Sequence, residues 1–459
     1  MTILNSTAQI RAADAAHHLH PFTNTRELNA KGPRVIVSAK GVHLMDSEGN
    51  KILDGMAGLW CAAVGFGRAE IADAVAAQLK ELTFYNTFFN TTHPPVAELS
   101  ALLAEVTPPQ FNHFFYTGSG SESNDTILKL VTYYWQLMDK PKRNIFVGRR
   151  GGYHGSTVAG AALGGFGGMH DHQGVPVGNI FHAPAPDWWS NGGDLSPDEF
   201  GLKTVAETLA LIDGIGADRV AAFIGEPIMG AGGVIIPPDS YWPALSKGLK
   251  DRDILLISDE VICGFGRTGK WFGCETYGTE PDFMTLAKGL TSGYMPMGAV
   301  AVSDRIADVL IGKGGEFAHG YTYSGHPASC AAAITNLNIL RDEKIVERVR
   351  DDIGPYLQTK WAALSDHPLV GQSPMVGLIG AIQLTADKSS RAGFASEAKV
   401  GMICREHSFN NGLIMRAVGE RMVVAPPLVL THAEADEMVE KAHRILDLTL
   451  ADLRTQGLV

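Results

Sequence analysis

Thr285-Leu-Ala-Lys-Gly-Leu-Thr-Ser292 places one lysine, Lys288, at the end of a short apolar run and directly before a turn of small and hydroxyl residues. The run Phe283 to Ala287 predicts a buried strand. A lysine at this position buries its stem and presents its amine to a cavity. Burial lowers the pKa of a lysine, and a neutral amine attacks carbonyl groups. The alternative for any single lysine is a solvated surface charge, so the role of Lys288 depends on the rest of the chain.

The length, composition and charge of the chain restrict its class. At 459 residues it is too long for one compact core, so two or three domains are expected. Hydrophobic residues make up 45% and charged residues 19%, which is typical of a soluble globular protein. The formal net charge of -11 argues against nucleic acid or an anionic membrane as a partner.

The cysteines and the hydrophobic runs favour a cytoplasmic protein. The five cysteines are widely spaced and form no CxxC pair, so a disulfide framework or a zinc site is not expected, and we assign no metal. No run of about 18 apolar residues predicts a membrane span, and the first residues lack a basic-then-apolar signal pattern. A reducing cytoplasm is the expected location.

Strand-like runs alternate with helical patterns through the middle of the chain. Most of these runs are continuously apolar, as in strands that are covered on both faces. They are Phe114 to Tyr116, Asn144 to Val147, Val220 to Ile224, Ile254 to Ser258, Phe283 to Ala287 and Gly298 to Val302. Helical patterns lie at Ser121 to Met138 and Asp239 to Asp251. The alternation predicts an α/β protein with a largely parallel sheet.

The two ends of the chain predict a smaller α+β domain. Residues Val35 to Asp54 read as short antiparallel strands that turn near Gly49. After Pro327 a long helical stretch runs through Ile345, and a glycine-rich β segment follows. We therefore predict a large domain at 69–328 and a small domain built from segments 1–68 and 329–459.

Two strand ends carry groups suited to a flat phosphorylated ligand. Thr117-Gly-Ser-Gly-Ser-Glu-Ser-Asn124 leads into a helix, and backbone N–H groups at a helix start bind one phosphate. The alternative is an ordinary capped loop, and no Walker lysine follows. Gly151-Gly-Tyr-His-Gly-Ser156 offers aromatic rings that stack on a heterocycle; the alternative is a ring packed in the core.

Two further strand ends carry carboxylates. Glu226 and Asp259 each follow an apolar run, and a buried carboxylate is costly without a partner. A structural ion pair is the alternative for Asp259. Asp259 and Lys288 are 29 residues apart, which fits two neighbouring strands opening on one cavity. A phosphate loop, a stacking ring, a carboxylate and a lysine together match the needs of pyridoxal phosphate.

The motifs also identify a family. The chain resembles the class III (ω-) aminotransferases, which are fold type I pyridoxal phosphate enzymes, over nearly its whole length. The segments that carry the resemblance are Thr117 to Asn124, Gly151 to Thr157, Gly225-Glu-Pro-Ile228, Asp259 to Gly269, Ala287-Lys-Gly-Leu290 and Gly320-Tyr-Thr-Tyr-Ser-Gly-His-Pro327. The Asp259 segment and the segment around Thr322 are long and specific; the glycine loop alone is not.

The resemblance implies a role for each matching residue. Lys288 is then the Schiff-base lysine and proton carrier, and Asp259 partners the pyridine nitrogen. The other cofactor residues are Gly120 and Ser121 at the phosphate, Tyr153 and Val261 on the two ring faces, and Glu226 nearby. Thr322 is expected to reach a phosphate across a subunit interface. A homodimer with two shared sites follows from that expectation, and assembly of such dimers into a tetramer stays open.

Further segments resemble the amine:pyruvate subgroup. They are Gly55 to Gly67 and Phe84 to Phe89. The residues expected to line an apolar substrate pocket are Trp60, Phe22, Phe88, Tyr153 and Ala231. The alternative for these aromatic residues is the core of a subunit interface, and for Phe89 the two interpretations are equal. Met229 stands where many members of the class carry glutamine.

Arg416, in Leu413-Ile-Met-Arg416, resembles the mobile arginine of the subgroup. A guanidinium suits the carboxylate of pyruvate or alanine, and a surface arginine is the alternative. The predicted reaction is a ping-pong transfer from an arylalkyl amine, ω-amino acid or diamine to pyruvate. An aminomutase or decarboxylase on the same scaffold, and a transaminase specific for putrescine or polyamines, are the rival predictions.

Overall fold

The structure, a computed structural model, describes residues 6–173 and 178–459. The strands in chain order are β1 Ile36–Lys40, β2 His43–Asp46, β3 Lys51–Leu53, β4 Phe111–Thr117, β5 Ile145–Arg149, β6 Ile180–Ala183, β7 Val220–Gly225, β8 Leu255–Asp259, β9 Phe283–Leu286, β10 Gly298–Ser303, β11 Val370–Gln372, β12 Met375–Val376, β13 Ile379–Leu384, β14 Arg416–Val418 and β15 Arg421–Val424.

The α-helices complete the described elements. They are α1 Thr7–His17, α2 Thr25–Lys31, α3 Ala57–Trp60, α4 Ala69–Glu81, α5 Pro94–Val106, α6 Gly120–Leu137, α7 Val158–Leu163, α8 Gly167–Gln173, α9 Trp188–Asn191, α10 Pro197–Ile215, α11 Tyr241–Lys250, α12 Gly273–Thr276, α13 Asp304–Lys313, α14 Pro327–Asp342, α15 Ile345–Arg348, α16 Gly354–Ala362, α17 Val400–Asn410 and α18 His432–Thr455. Within the described ranges, no helix is both long and apolar enough to cross a membrane.

A seven-stranded sheet forms the centre of the molecule, in the order β4-β10-β9-β8-β7-β5-β6. All neighbouring pairs are parallel except those made by β10, which runs against both β4 and β9. Strands β7, β8, β9 and β10 are buried at every position, which explains why their sequences are apolar without alternation. The predicted α/β class with a mostly parallel sheet is confirmed.

The structure corrects one feature of the helical prediction. The predicted stretch through Ile345 is two helices, because α14 ends at Asp342 and Lys344 adopts a left-handed backbone conformation with φ 52°. Lys344 interrupts the helix, since single left-handed residues cannot continue a right-handed one.

The two ends of the chain are joined by backbone hydrogen bonds. Leu53 N–H donates to Gly412 O at 3.0 Å, and Ile414 N–H donates to Leu53 O at 2.9 Å. The N-terminal sheet has the order β1-β2-β3, and the C-terminal sheet the order β11-β13-β15-β14, with β12 also paired to β13. The domain boundaries after residues 68 and 328 stay predictions.

Candidate active site

The carboxyl ends of β4, β8 and β9 lie at one edge of the central sheet. Because β4, β8 and β9 all run in the same direction, their last residues meet there. Asp259 ends β8 and pairs with Thr285 of β9, three residues before Lys288. The predicted neighbouring positions of Asp259 and Lys288 therefore follow from the strand register.

Asp259 is held on both carboxylate oxygens by a buried polar network. The ring nitrogen His154 Nδ1 lies 2.7 Å from Asp259 Oδ2, and Asn124 Nδ2 donates to the same oxygen at 3.0 Å. Val261 N–H donates to Oδ1 at 3.2 Å. Thr285 Oγ1 donates to Asn124 Oδ1 at 2.7 Å and so fixes the amide. The carboxylate, 3% exposed, is oriented before any ligand binds.

From the sequence, Asn124 has no predicted role and His154 is predicted only as one of two stacking rings, although both lie inside the quoted motifs. Asn124 could have been found from its spacing, because it follows Gly120 by four residues and so lies on the same face of α6. His154 directly follows Tyr153, and only the folded chain shows that its ring reaches Asp259.

Lys288 has a strained backbone and a perturbed amine. Its φ is 47°, in the left-handed region that a side chain makes unfavourable. Burial lowers the pKa of the Lys288 amine, and Arg416 lowers it further, whereas the negative charges of Asp259 and Glu226 raise it. The net direction is downward, which increases the neutral fraction of the amine near neutral pH.

The glycine loop after β4 forms the start of α6. Ser119 is the N-cap, and its hydroxyl accepts from Glu122 N–H at 3.2 Å. The helix begins at Gly120, one residue earlier than predicted. A methyl group at Gly120 would lie 2.9 Å from Val261 Cγ2, so this helix start packs directly against the residue that follows the Asp259 strand.

Ser121 and the turn after β5 are also in contact. Ser156 N–H donates to Ser121 Oγ at 3.1 Å. A Cβ atom at Gly155, whose φ is 124°, would lie 2.6 Å from the same Oγ, so glycine is required there. The residues predicted to bind a phosphate and the turn that carries Tyr153 therefore form one wall of the site.

Glu226 links the turn that carries Tyr153 to the loop after β7 through hydrogen bonds to backbone N–H groups. Its Oε1 accepts from Tyr153 N–H at 3.1 Å, and its Oε2 accepts from Gly230 N–H at 2.9 Å. Burial raises the pKa of this carboxyl. Glu226 thus fixes the backbone of Tyr153 at the edge of the site.

The comparisons with known proteins name the family. A model of the class III aminotransferases matches residues 26–446. The chain belongs to the class III aminotransferases.

Relatives cover the chain almost completely. A putrescine–pyruvate aminotransferase of Pseudomonas aeruginosa is 53% identical over 445 residues, which is 97% of each chain. A solved (S)-enantioselective ω-transaminase from Thermomicrobium roseum is 42% identical, has a TM-score of 0.94, and matches over 98% of this chain and 100% of that one. An ω-transaminase of Pseudomonas jessenii solved with PMP is 37% identical over 98% of this chain and 99% of that one, with a TM-score of 0.94.

Class III aminotransferases depend on pyridoxal phosphate, and the residues of this one fit that cofactor. Asp259 Oδ1 accepts one hydrogen bond among the described residues, so it keeps a lone pair for a protonated ring nitrogen. The amine of Lys288 is shifted toward its neutral form. Gly120 and Ser121 are the first two residues of α6, and their backbone N–H groups precede the hydrogen bond from Ser123 N–H to Ser119 O, so they can donate to a phosphate.

Two residues predicted for the substrate pocket of this aminotransferase interact with Tyr153 or with Lys288. Phe22 is 77% exposed and its ring centroid lies 6.5 Å from that of Tyr153, in an edge-on arrangement. Burial lowers the pKa of the Arg416 guanidinium. Its positive charge in turn lowers the pKa of Lys288, so Arg416 is within electrostatic range of that amine.

Other predicted pocket residues of the aminotransferase are buried in its interior. Trp60 is 3% exposed and packs with Met56, Ile228 and Ile262. Ala231 is also buried, in the loop after β7. Met229 is fully buried, and its Cε lies 3.6 Å from where a methyl group on Gly151 would be. Met229 thus fills the space behind the turn that carries Tyr153.

Phe88 and Thr322 lie on a second part of the aminotransferase surface. Phe88 packs on Gly320, where an added methyl group would lie 2.7 Å from its ring. Thr322 is exposed. Two further aromatic side chains on these loops are exposed to solvent: Phe89, 87% exposed, and Tyr323, 66% exposed. The structure groups these residues with one another, whereas the ring of Phe22 lies beside Tyr153.

Proposed function

We propose that this chain is a pyridoxal-phosphate-dependent ω-transaminase. It transfers the amino group of a primary amine to pyruvate, giving a ketone or aldehyde and L-alanine by a ping-pong mechanism. The observation that carries the proposal is the position of a buried, pre-oriented Asp259 beside Thr285, three residues before the buried Lys288.

The residues of the site have separate tasks. When bound, pyridoxal phosphate withdraws electrons from the carbon that loses its proton. Asp259 keeps the ring nitrogen protonated, because its charge is shielded from water. Lys288 would hold the aldehyde group between turnovers, and burial lowers the pKa of its amine, which favours the neutral form that can accept a proton.

The remaining cofactor contacts position the ring. Gly120 and Ser121 would bind the phosphate at the start of α6. Val261 and Tyr153 would pack on the two ring faces, and Glu226 holds the Tyr153 backbone in place.

The donor amine is proposed from the pocket and from the relatives. The aromatic pair Phe22 and Tyr153 suits an arylalkyl amine. The similarity to an enzyme named putrescine–pyruvate aminotransferase favours a diamine as the second candidate. Arg416 would bind the carboxylate of pyruvate or alanine, since a guanidinium suits a carboxylate and its charge acts on the Lys288 amine.

A homodimer is proposed from an exposed aromatic face. Four exposed aromatic residues, Phe84, Tyr85, Phe89 and Tyr323, lie beside the exposed Thr322 on two neighbouring loops. Such a patch is typical of a protein interface. Thr322 would then reach the phosphate in the site of the second subunit. The five unpaired cysteines support a reducing, cytoplasmic location.

A half-reaction panel tests the function. Each amine is added to the holoenzyme without acceptor, and the visible absorbance of the bound cofactor is followed. Arylalkyl amines or putrescine should remove the absorbance, and pyruvate should restore it with formation of alanine. Carbon dioxide release or an isomerised amine without any need for pyruvate would instead indicate a decarboxylase or an aminomutase. Lys288→Ala should abolish steady-state turnover; substantial transamination by that variant would overturn the assignment.

Subunit mixing tests the shared site. Thr322→Ala and Lys288→Ala should each be impaired, and co-refolding them should restore one intact site in every mixed dimer. If the mixture gains no activity over its parents, Thr322 does not act across the interface.

A further inference from the structure

A cluster of one carboxylate and two imidazoles lies at the end of α1, outside the candidate active site. His18 Nδ1 is 3.0 Å from Asp14 Oδ1, and His20 Nε2 is 2.7 Å from Asp14 Oδ2. The three potential ligand atoms all lie within 4.8 Å of one another. Asp14 and His18 are four residues apart at the end of α1, which brings them together, and the chain after the helix returns His20 to the same carboxylate.

The spacing suits a small divalent cation. Zn²⁺ with ligand bonds of about 2.0–2.2 Å holds neighbouring ligand atoms roughly 3.0–3.5 Å apart. His18 and His20 reach different oxygens of Asp14, at 3.0 Å and 2.7 Å, and both distances are close to this range. The two imidazole nitrogens lie within 4.8 Å of each other, and rotation of His18, whose side chain is 57% exposed, would bring them closer. Imidazole and carboxylate are ligands that Zn²⁺ prefers, and a fourth position stays open to water.

Hydrogen bonding alone also explains the two contacts with Asp14. In that arrangement each imidazole donates a proton from the nitrogen that faces the carboxylate. A cation uses the lone pairs of the same two nitrogens, so it replaces the hydrogen bonds without moving the chain far. The two states differ in whether a cation is retained, which can be measured.

We propose that Asp14, His18 and His20 bind a divalent transition-metal cation such as Zn²⁺. The proposal differs from the expectation of no metal, which rested on cysteine spacing, because the ligands here are histidine and aspartate. It does not depend on the proposed function, since no residue of the cluster belongs to the transaminase site.

The cation would fasten the N-terminal arm beside the site. Helix α1 buries none of its residues and is held by polar contacts such as Arg11 Nε to Pro33 O at 2.9 Å. His20 is two residues before Phe22, whose ring lies against Tyr153. A bound cation joins the last turn of α1 to this loop, and so restricts the motion of Phe22.

Calorimetric titration of the metal-free holoenzyme with Zn²⁺ tests the site. We expect about one high-affinity Zn²⁺ per chain, weakened at least about 100-fold in His20→Ala and in Asp14→Asn, because each change removes a ligand. His17→Ala is the matched control, since His17 is an exposed neighbour outside the cluster. His443→Ala is a second control, because His443 pairs with Asp447 on α18 at the same four-residue spacing. Both controls should bind as the wild type does.

Hydrogen exchange gives a second readout that does not require activity. Zn²⁺ should slow amide exchange in residues 18–24 of the wild type and leave His20→Ala unchanged. Circular dichroism and the visible absorbance of the bound cofactor establish that each variant is folded. Failure of the wild type to bind Zn²⁺, or equal binding by the wild type and His20→Ala, would overturn the proposal and leave the transaminase assignment intact.

Discussion

Replacing Gly120 with alanine tests how closely the start of α6 approaches the Asp259 strand. The new methyl group would lie 2.9 Å from Val261 Cγ2 and 3.3 Å from Cγ1. Ordinary carbon contacts are about 3.5–4.0 Å, so one side must move by roughly 0.5–1 Å. Val261 donates its N–H to Asp259 Oδ1, and therefore any shift of Val261 also disturbs the carboxylate.

The size of the effect follows from the cost of overpacking. Forcing one extra methyl into a packed site costs about 1–3 kcal/mol. If this cost falls on the cofactor-bound state, the dissociation constant for pyridoxal phosphate rises roughly 5- to 150-fold. Val261→Ala removes both methyl groups that the new atom would meet. The double variant Gly120→Ala/Val261→Ala should therefore bind the cofactor about as well as Val261→Ala alone.

The assay is fluorescence or absorbance titration of each apoprotein with pyridoxal phosphate. Gly312→Ala is the control, because Gly312 lies in α13 with open space around its added methyl group. Unchanged cofactor affinity in Gly120→Ala would refute the reasoning. A second result would refute it as well, namely that Gly120→Ala reduces cofactor affinity by the same factor in the wild type and in Val261→Ala. Positions 120 and 261 would then act independently.

Three further outcomes are expected. Arg416→Ala should raise the KM for pyruvate roughly 10- to 150-fold, the value of a lost charge-assisted pair, and the KM for an arylalkyl amine far less; equal increases would remove Arg416 from carboxylate binding. Asn124→Ala should lower kcat roughly tenfold or more by freeing Asp259, with cofactor still bound; an unchanged kcat would contradict that positioning role. Burial raises the pKa of Glu260 to about 7, so its contribution to stability is complete below its ordinary pKa near 4.5 and is lost as pH rises through about 7. Glu260→Gln should remove up to about 3 kcal/mol of this pH dependence in unfolding measured from about pH 5 to about pH 8; parallel profiles for the two proteins would contradict the shift.

The sheet was predictable from sequence because its strands are covered on both faces. Strands β7 to β10 must then be apolar throughout, so their position and approximate ends can be read directly. The residue that follows such a strand is at the sheet edge by construction, which is why Asp259 and Lys288 could be placed together. The break between α14 and α15 at Lys344 could not be predicted from the sequence. The apolar periodicity continues through Lys344, and only its left-handed backbone conformation ends the helix.

The orienting groups of the site depend on contacts between segments far apart in the chain. His154 and Asn124 are 105 and 135 residues before Asp259, and periodicity carries no information on such separations. For Trp60 the residue type itself is ambiguous. An aromatic residue suits a pocket wall and a core equally well, and its burial among aliphatic residues is known only from the folded chain.

The antiparallel strand β10 fixes the distance between the loop that follows β4 and the residues that follow β9. Ala299 stands opposite Tyr116 of β4 on one side and Leu286 of β9 on the other. Two inter-strand spacings therefore separate the loop before α6 from the lysine strand, about 10 Å in all. Gly298 is required for the close approach of β10 to β4, because a Cβ atom there would lie 2.5 Å from Thr117 Oγ1. Main-chain hydrogen bonds set this distance between β4 and β9. Side-chain substitutions at the ends of these strands can therefore change the chemistry of the site without changing the distance between the strands.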